Sequence, residues 1–177
     1  MHFLVVRNIE RIEIQSDSKL QIIEDAFNST KIESFSIPSN LIEFKDGWCF
    51  GLTKLKKIEI SPDNQRYKVY EDKFIIEKSS IEHENYDCLV FCVRDIKTAM
   101  IPNFIEHFCS FAFEECLDLK TIEIPNDSKL KTIGDFAFNN ASIERVVIPS
   151  RVEQIGEGAF HSCYQDSIFI RLHLKNV

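Results

Sequence analysis

Apolar residues recur along the chain in one figure: a first position, a gap of two, then two more at alternating positions. The figure reads Ile9/Ile12/Ile14, Ile32/Phe35/Ile37, Leu55/Ile58/Ile60, Ile96/Ala99/Ile101, Leu119/Ile122/Ile124 and Ile143/Val146/Ile148. The closing positions alternate in and out, as a strand with one covered face requires. The Pro that usually follows cannot donate to a ladder and biases its predecessor to extended backbone, so it ends the strand. The closing Ile residues stand 23, 23, 41, 23 and 24 positions apart. A second anchor, a small residue before Phe, keeps step: Ala26-Phe27, Cys49-Phe50, Ala112-Phe113, Ala137-Phe138 and Ala159-Phe160. A second apolar pair precedes that anchor (Leu41/Phe44, Leu130/Ile133, Val152/Ile155), and the anchor itself is expected to form one helical or 3₁₀ turn.

A period near 23 with apolar residues spaced as L-x-x-L-x-L lies in the range of leucine-rich repeats. One such unit cannot bury its apolar face alone, so neighbours must stack. The expected fold is therefore α/β: a leucine-rich-repeat solenoid over residues 1–177 as one domain, with six or seven repeats. It would carry a parallel sheet on its concave face and short helical turns on its convex side. The tail from Ile168 to Leu174 is expected to add a last strand. Nothing after it reads as a polar cap, which predicts either a piece of a longer array or end-to-end self-association.

One repeat is enlarged, at about 61–101, by 18 residues over the period. Tyr67, Val69, Phe74 and Ile76 alternate around Glu71-Asp72-Lys73 and predict a hairpin. Cys88 to Val93 reads as a further strand, and Lys78 to Asp87 as the loop between. The insertion either enlarges the sheet or protrudes as a binding element, since insertions in solenoids map to loops.

The run Ile148-Pro149 to Cys163, with Val152, Ile155-Gly156, Ala159-Phe160 and Cys163 in phase, resembles the BspA-type leucine-rich repeat. The resemblance extends from about Ile9 to Cys163. It implies a surface or secreted protein that adheres to host proteins or other cells by binding rather than catalysis. An intracellular protein–protein scaffold is the alternative. The compartment stays open, because no apolar stretch is long enough for a signal peptide or a membrane span. The sequence as it stands predicts a soluble chain.

Composition narrows the partners. Lys plus Arg is 21 against 28 Asp plus Glu, for a net charge of −7, with no basic cluster. That disfavours nucleic acid and electrostatic docking on a membrane. Fifteen Phe against one Trp and four Tyr point to one core role for Phe, which fills space without a polar atom. Six Cys are spread through a chain long enough not to need disulfides. Three Asn-x-Ser/Thr sequons (Asn28, Asn126, Asn140) matter only after secretion.

Candidate chemistry is thin. No glycine-rich phosphate loop, G-x-S-x-G or H-E-x-x-H is present, and no cofactor is implied. Cys88 and Cys92, with His107-x-Cys109 or His161-x-Cys163, have zinc-like spacing, but residues four apart on a strand lie about 13 Å from end to end. Cys116 and Cys163 are expected to fill one small apolar slot in stacked turns. The carboxylate pairs Glu114-Glu115 and Glu10/Glu13 read as solvated surface. The expected function is thus protein binding through the outward strand positions, which stack into lanes. The first lane is Glu10, Glu33, Lys56, Lys97, Lys120, Glu144; the second is Arg11, Ser34, Lys57, Thr98, Thr121, Arg145. The third is Glu13, Ser36, Glu59, Met100, Glu123, Val147. From these the candidate binding residues are Glu33, Lys56, Lys57, Glu59, Lys97, Met100, Lys120, Glu123, Glu144 and Arg145.

Overall fold

The structure, a computed structural model, describes residues 9–163 and 169–172. The chain winds into a β-solenoid of about six coils, and each coil contributes short strands to parallel ladders. The first ladder is built from the recurring apolar figure: β1 (Arg11–Ile12), β3 (Ser34–Ile37), β5 (Lys57–Ile60), β9 (Thr98–Met100), β11 (Thr121–Glu123), β13 (Arg145–Ile148) and β15 (Phe169–Leu172). The second uses the apolar pair after the Pro corner: β2 (Ile22–Ile23), β4 (Glu43–Phe44), β10 (His107–Phe108), β12 (Thr132–Ile133) and β14 (Gln154–Ile155). The predicted last strand is present as β15, parallel to β13; its expected flanks fall outside the described residues.

The expected helical turn is absent. Among the described residues there is neither an α-helix nor a 3₁₀-helix, so the solenoid is all-β rather than α/β. The reason lies in the backbone of the turn. Each holds two left-handed residues four apart: Asp25 and Ser29, Gly47 and Gly51, Phe111 and Glu115, Phe136 and Asn140, Gly158 and Ser162. A left-handed residue cannot continue a right-handed helix. The turn amides instead bond the next coil: Phe111 N–H to Asp135 O (3.1 Å), Phe113 to Ala137 (2.7 Å) and Glu115 to Asn139 (2.8 Å). These bonds form a third ladder and hold Phe111 and Phe136 at φ 62° and 52°, where a bulky residue is otherwise rare.

This frame corrects one anchor. Gly47 and Gly51 align with Asp25 and Ser29, which places Cys49, not Phe50, at the position of Phe27. Trp48 and Cys49 are buried there, while Phe50 is exposed.

The enlarged repeat supplies β6 (Tyr67–Tyr70), β7 (Phe74–Glu77) and β8 (Cys88–Cys92). The predicted hairpin is present: β6 and β7 pair antiparallel around Glu71 and Asp72, both left-handed, with Lys73 N–H bonded to Tyr70 O at 3.1 Å. This is the turn geometry that matches strand twist. β7 pairs antiparallel with β8, and β8 pairs parallel with β10, so the second ladder gains extra strands that the first lacks. Both faces of the insert are covered. Tyr67, Ile75 and Val90 pack on an N-terminal core with Phe27, Phe35, Leu41 and Trp48. Phe74, Ile76 and Leu89 pack on a C-terminal core with Phe108, Phe113 and Phe138. The insert is a wall between two stacks: coils up to β5 on one side, and coils from β9 onward on the other.

Candidate functional site

The wall changes the expected binding face. The first ladder is two sheets, β1-β3-β5 and β9-β11-β13-β15, not the single sheet on which the lanes were drawn. Each extra strand takes roughly 4.8 Å along its ladder, so coils spread in the second ladder cannot stay paired in the first. Glu33, Lys56, Lys57 and Glu59 therefore belong to the N-terminal sheet. Lys97, Met100, Lys120, Glu123, Glu144 and Arg145 belong to the C-terminal sheet. Within each sheet the lane registers hold: Ser34 faces Lys57, Ser36 faces Glu59, Thr121 lies between Thr98 and Arg145, and Met100 faces Glu123. All ten side chains are exposed or half-buried. Several neutralise each other: Lys56 with Glu33 (3.5 Å), Lys120 with Glu144 (3.7 Å) and Lys57 with Glu59 (2.5 Å). Exposed pairs of this kind add little stability, which leaves them available to a partner.

The wall also creates concave surface. A groove of about 450 Å³ is walled by Tyr70, Ile76, Tyr86 and Phe104, with Lys68 and Lys129 among its polar residues. Tyr70 and Phe104 meet edge to face at 5.5 Å. A second cleft, of about 600 Å³, runs along β5 between Ile58, Ile60, Tyr67, Val69 and Tyr86. The loop carrying Tyr86 is fastened by Asp87, which accepts from Ser79 N–H (2.8 Å) and Ser79 Oγ (2.6 Å). Burial acts to raise the Asp87 carboxyl, but the Ser79 bonds outweigh it and hold the group below the usual carboxylate range.

A buried polar cluster joins the two stacks, and sequence reasoning missed it. Arg94, wholly inside, donates from Nε to Leu52 O (3.1 Å) and from Nη1 to Cys92 O (3.2 Å) and Cys116 Sγ (3.1 Å). Its guanidinium lies 4.2 Å from the Phe91 ring centroid. Burial pushes the Cys116 thiol up, yet the neighbouring Cys92 thiol and the Arg94 charge together bring it down to about 7. Cys49, nearby but without that contact, is pushed up by burial to about 12. Cys116 thus occupies a core slot, as expected, but as the counter-group of a buried cation rather than a purely apolar filler.

Glu114 corrects the solvated-surface reading of its pair. It is fully buried, bonded through Oε1 to Asn139 Nδ2 at 3.1 Å, and burial lifts its carboxyl to about 7. Its place in the turn carried the signal: Ala112, Phe113 and Glu114 are buried in succession, as are Ala137, Phe138 and Asn139 in the next coil. Glu10 and Glu13 are exposed, as read. Cys88 and Cys92 do not converge: Cys88 Sγ meets Asp87 Oδ1 at 3.7 Å, whereas Cys92 adjoins Cys116.

Comparison with known proteins gives the same architecture. The family described as BspA type leucine-rich repeat region matches in six copies, over residues 2–74 and 80–175. No curated protein matches the chain. A leucine-rich repeat protein from Eubacterium ventriosum superposes with a TM-score of 0.71 at 22% identity, over 82% of this chain and 37% of that one. The pneumococcal vaccine antigen PcpA superposes at 0.64 and 18% identity, over 89% of this chain and 44% of its own. A leucine rich cell surface protein from Faecalibacterium prausnitzii gives 0.51 and 22%, over 86% and 51%. The chain therefore spans about half or less of the length of these proteins, and identities this low speak for the fold alone.

Proposed function

The chain belongs to the BspA-type leucine-rich-repeat family, and from that premise we propose that it is a non-enzymatic protein-binding module of a surface or secreted adhesion protein. The observation that carries this reading is the pair of outward strand faces. Exposed charges of both signs stand in register on ladders whose backbone is fixed by hydrogen bonds, so they present a preformed pattern to a broad protein partner. One structural relative bears the name of a cell surface protein and another that of a vaccine antigen, names that support a surface location here. Glu114 and Cys116, whose titration is brought to about 7, are enclosed in the core, out of reach of a substrate.

The test is capture from host-cell surface and from native extract, with the purified chain as bait and a Lys56→Glu/Lys120→Glu/Glu123→Lys variant as control. A partner held by the wild type and lost by the variant supports the reading. A partner held equally by both overturns the assignment to these faces. The scaffold reading has one observation in its favour: all six thiols are free, and four of them are buried. Glycosylated Asn28 or Asn126, both exposed, in protein from its native cell would exclude it.

A further inference from the structure

The strand β5 is the end of a stack in the middle of the chain. Among the described residues it pairs with β3 and with no other strand, because β9 opens the next sheet. Arg94 pins the two coils, its N–H bonding Leu55 O at 2.9 Å and its Nε bonding Leu52 O at 3.1 Å, and they part beyond it. Two consequences follow. Lys57 N–H bonds Glu33 O (3.1 Å) and Ser61 N–H bonds Ile37 O (2.9 Å), so the intervening Ile58 and Ile60 turn their amide and carbonyl groups to the open edge. Their side chains, core-facing by pattern, are half-buried, whereas the equivalent Phe35, Ile37, Ala99 and Ile101 are buried. β1, at the first coil, shows the same half-burial at Ile12 and Ile14.

The wall closes the neighbouring edge but not this one. On β4 the Tyr67 hydroxyl accepts from Phe44 N–H (3.1 Å) and donates to Ile42 O (3.4 Å), standing in for a missing strand. Among the described residues no side chain bonds the main chain of Ile58 or Ile60. In front of them lies the cleft of about 600 Å³.

Resting on the protein-binding reading above, we infer that β5 captures an extended segment of the partner protein, added as a parallel strand along this edge. Strand addition draws affinity from main-chain bonds and specificity from alternate side chains. Two apolar side chains of the segment enter the cleft beside Ile58 and Ile60. Its outward side chains stand beside Lys57 and Glu59, whose neighbours on β3 are Ser34 and Ser36 and supply no opposing charge across the ladder. Cross-strand complementarity then selects an acidic residue beside Lys57 and a basic one beside Glu59. The segment recognised reads acidic, apolar, basic, apolar.

The test uses the full chain and two capped peptides centred on Glu-Ile-Lys-Ile and on the charge-swapped Lys-Ile-Glu-Ile. The first is expected to bind about tenfold more tightly. Lys57→Glu/Glu59→Lys, two exposed changes that spare the core, is expected to reverse the order. Amide exchange gives a second reading: Ile58 and Ile60 become protected on binding, while Glu59 keeps the protection of its ladder. Equal affinities for the two peptides, or unchanged exchange at Ile58 and Ile60, overturn the inference. Protection at those amides that rises with chain concentration and without peptide also overturns it, in favour of a second copy. A partner captured through the outer lanes and not displaced by peptide defeats this inference alone and leaves the proposed function standing.

Discussion

The stacks on either side of the wall solve one packing problem with different means. In the C-terminal stack the turns interlock. Phe111, Phe113 and Glu115 donate to the next coil, as do Phe136, Phe138 and Asn140 to the one after. Behind them Phe113, Phe138 and Phe160 stack face to face at 4.9 and 5.1 Å. Gly134 lets the coils approach, since a side chain there would begin 2.6 Å from Ser110 N. In the N-terminal stack the corresponding ladder keeps one bond, from Ser29 N–H to Phe50 O at 3.2 Å. Its core is an irregular aromatic group in which Phe44 stacks on Trp48 at 4.0 Å and meets Tyr67 at 5.0 Å. A repeat thus tolerates an imperfect turn where large aromatics fill the space, but the aromatic fill comes from the wall rather than from the next coil. The N-terminal stack depends on its neighbour, and the C-terminal stack depends largely on itself.

That contrast can be broken experimentally. Phe138→Ala is expected to cost about 3–5 kcal/mol in chemical denaturation, since it removes the middle of the stacked Phe column. A loss below about 1 kcal/mol would sink the interlocked-turn description. Tyr67→Phe leaves the ring and deletes the hydroxyl that completes the β4 edge. A loss of about 1–3 kcal/mol is expected, with faster amide exchange at Phe44 and little change beyond β9. Equal loosening of both stacks would show that the wall does not separate them.

Glu114 sharpens the comparison through pH. Its carboxyl is held near 7 when folded, against 4.5 as a free group, so the folded chain retains a proton that the unfolded chain releases. Its contribution to stability is complete below about 4.5 and is lost as pH rises through about 7. Glu114→Gln should remove that slope, on the order of 2–3 kcal/mol between pH 5 and 8. An unaltered pH profile would place the proton elsewhere. The smallest effect belongs to Phe50→Ala, within about 0.5 kcal/mol because the ring is exposed. A loss comparable to that at Phe138 would restore Phe50 to the core and overturn the assignment of Cys49.

The repeat, the register within each sheet and the hairpin were legible in the sequence because each rests on side-chain periodicity, which the stacked core enforces. Turn geometry was not, because it rests on backbone angles. Ala137-Phe138 reads equally well as a helical turn until the left-handed Phe136 and Asn140 are known. At Cys49-Phe50 the pattern of side chains misled, while Gly47 and Gly51, four apart, carried the correct frame. The wall was half legible. Phe74 to Ile76 and Cys88 to Val93 are unbroken apolar runs, the mark of strands covered on both faces, yet nothing local says which cores they cover. The Arg94 cluster joins residues 42 and 22 positions apart, and no spacing rule points to a thiol as the partner of a guanidinium.

A solenoid of equal coils transmits order along its axis, because each coil is held by the one before it and holds the one after. The wall interrupts that transmission. Its strands turn one face to each core, so what passes from stack to stack goes through one sheet, the Arg94 staple and the contact of Cys49 with Phe111 rather than through three continuous ladders. Unfolding that starts at the weaker stack therefore meets a firebreak, and hydrogen exchange should resolve two cooperative blocks, with the boundary at β7 and β8. In a longer array of such coils, one enlarged repeat would serve as a bulkhead, confining damage at one end to the compartment where it began.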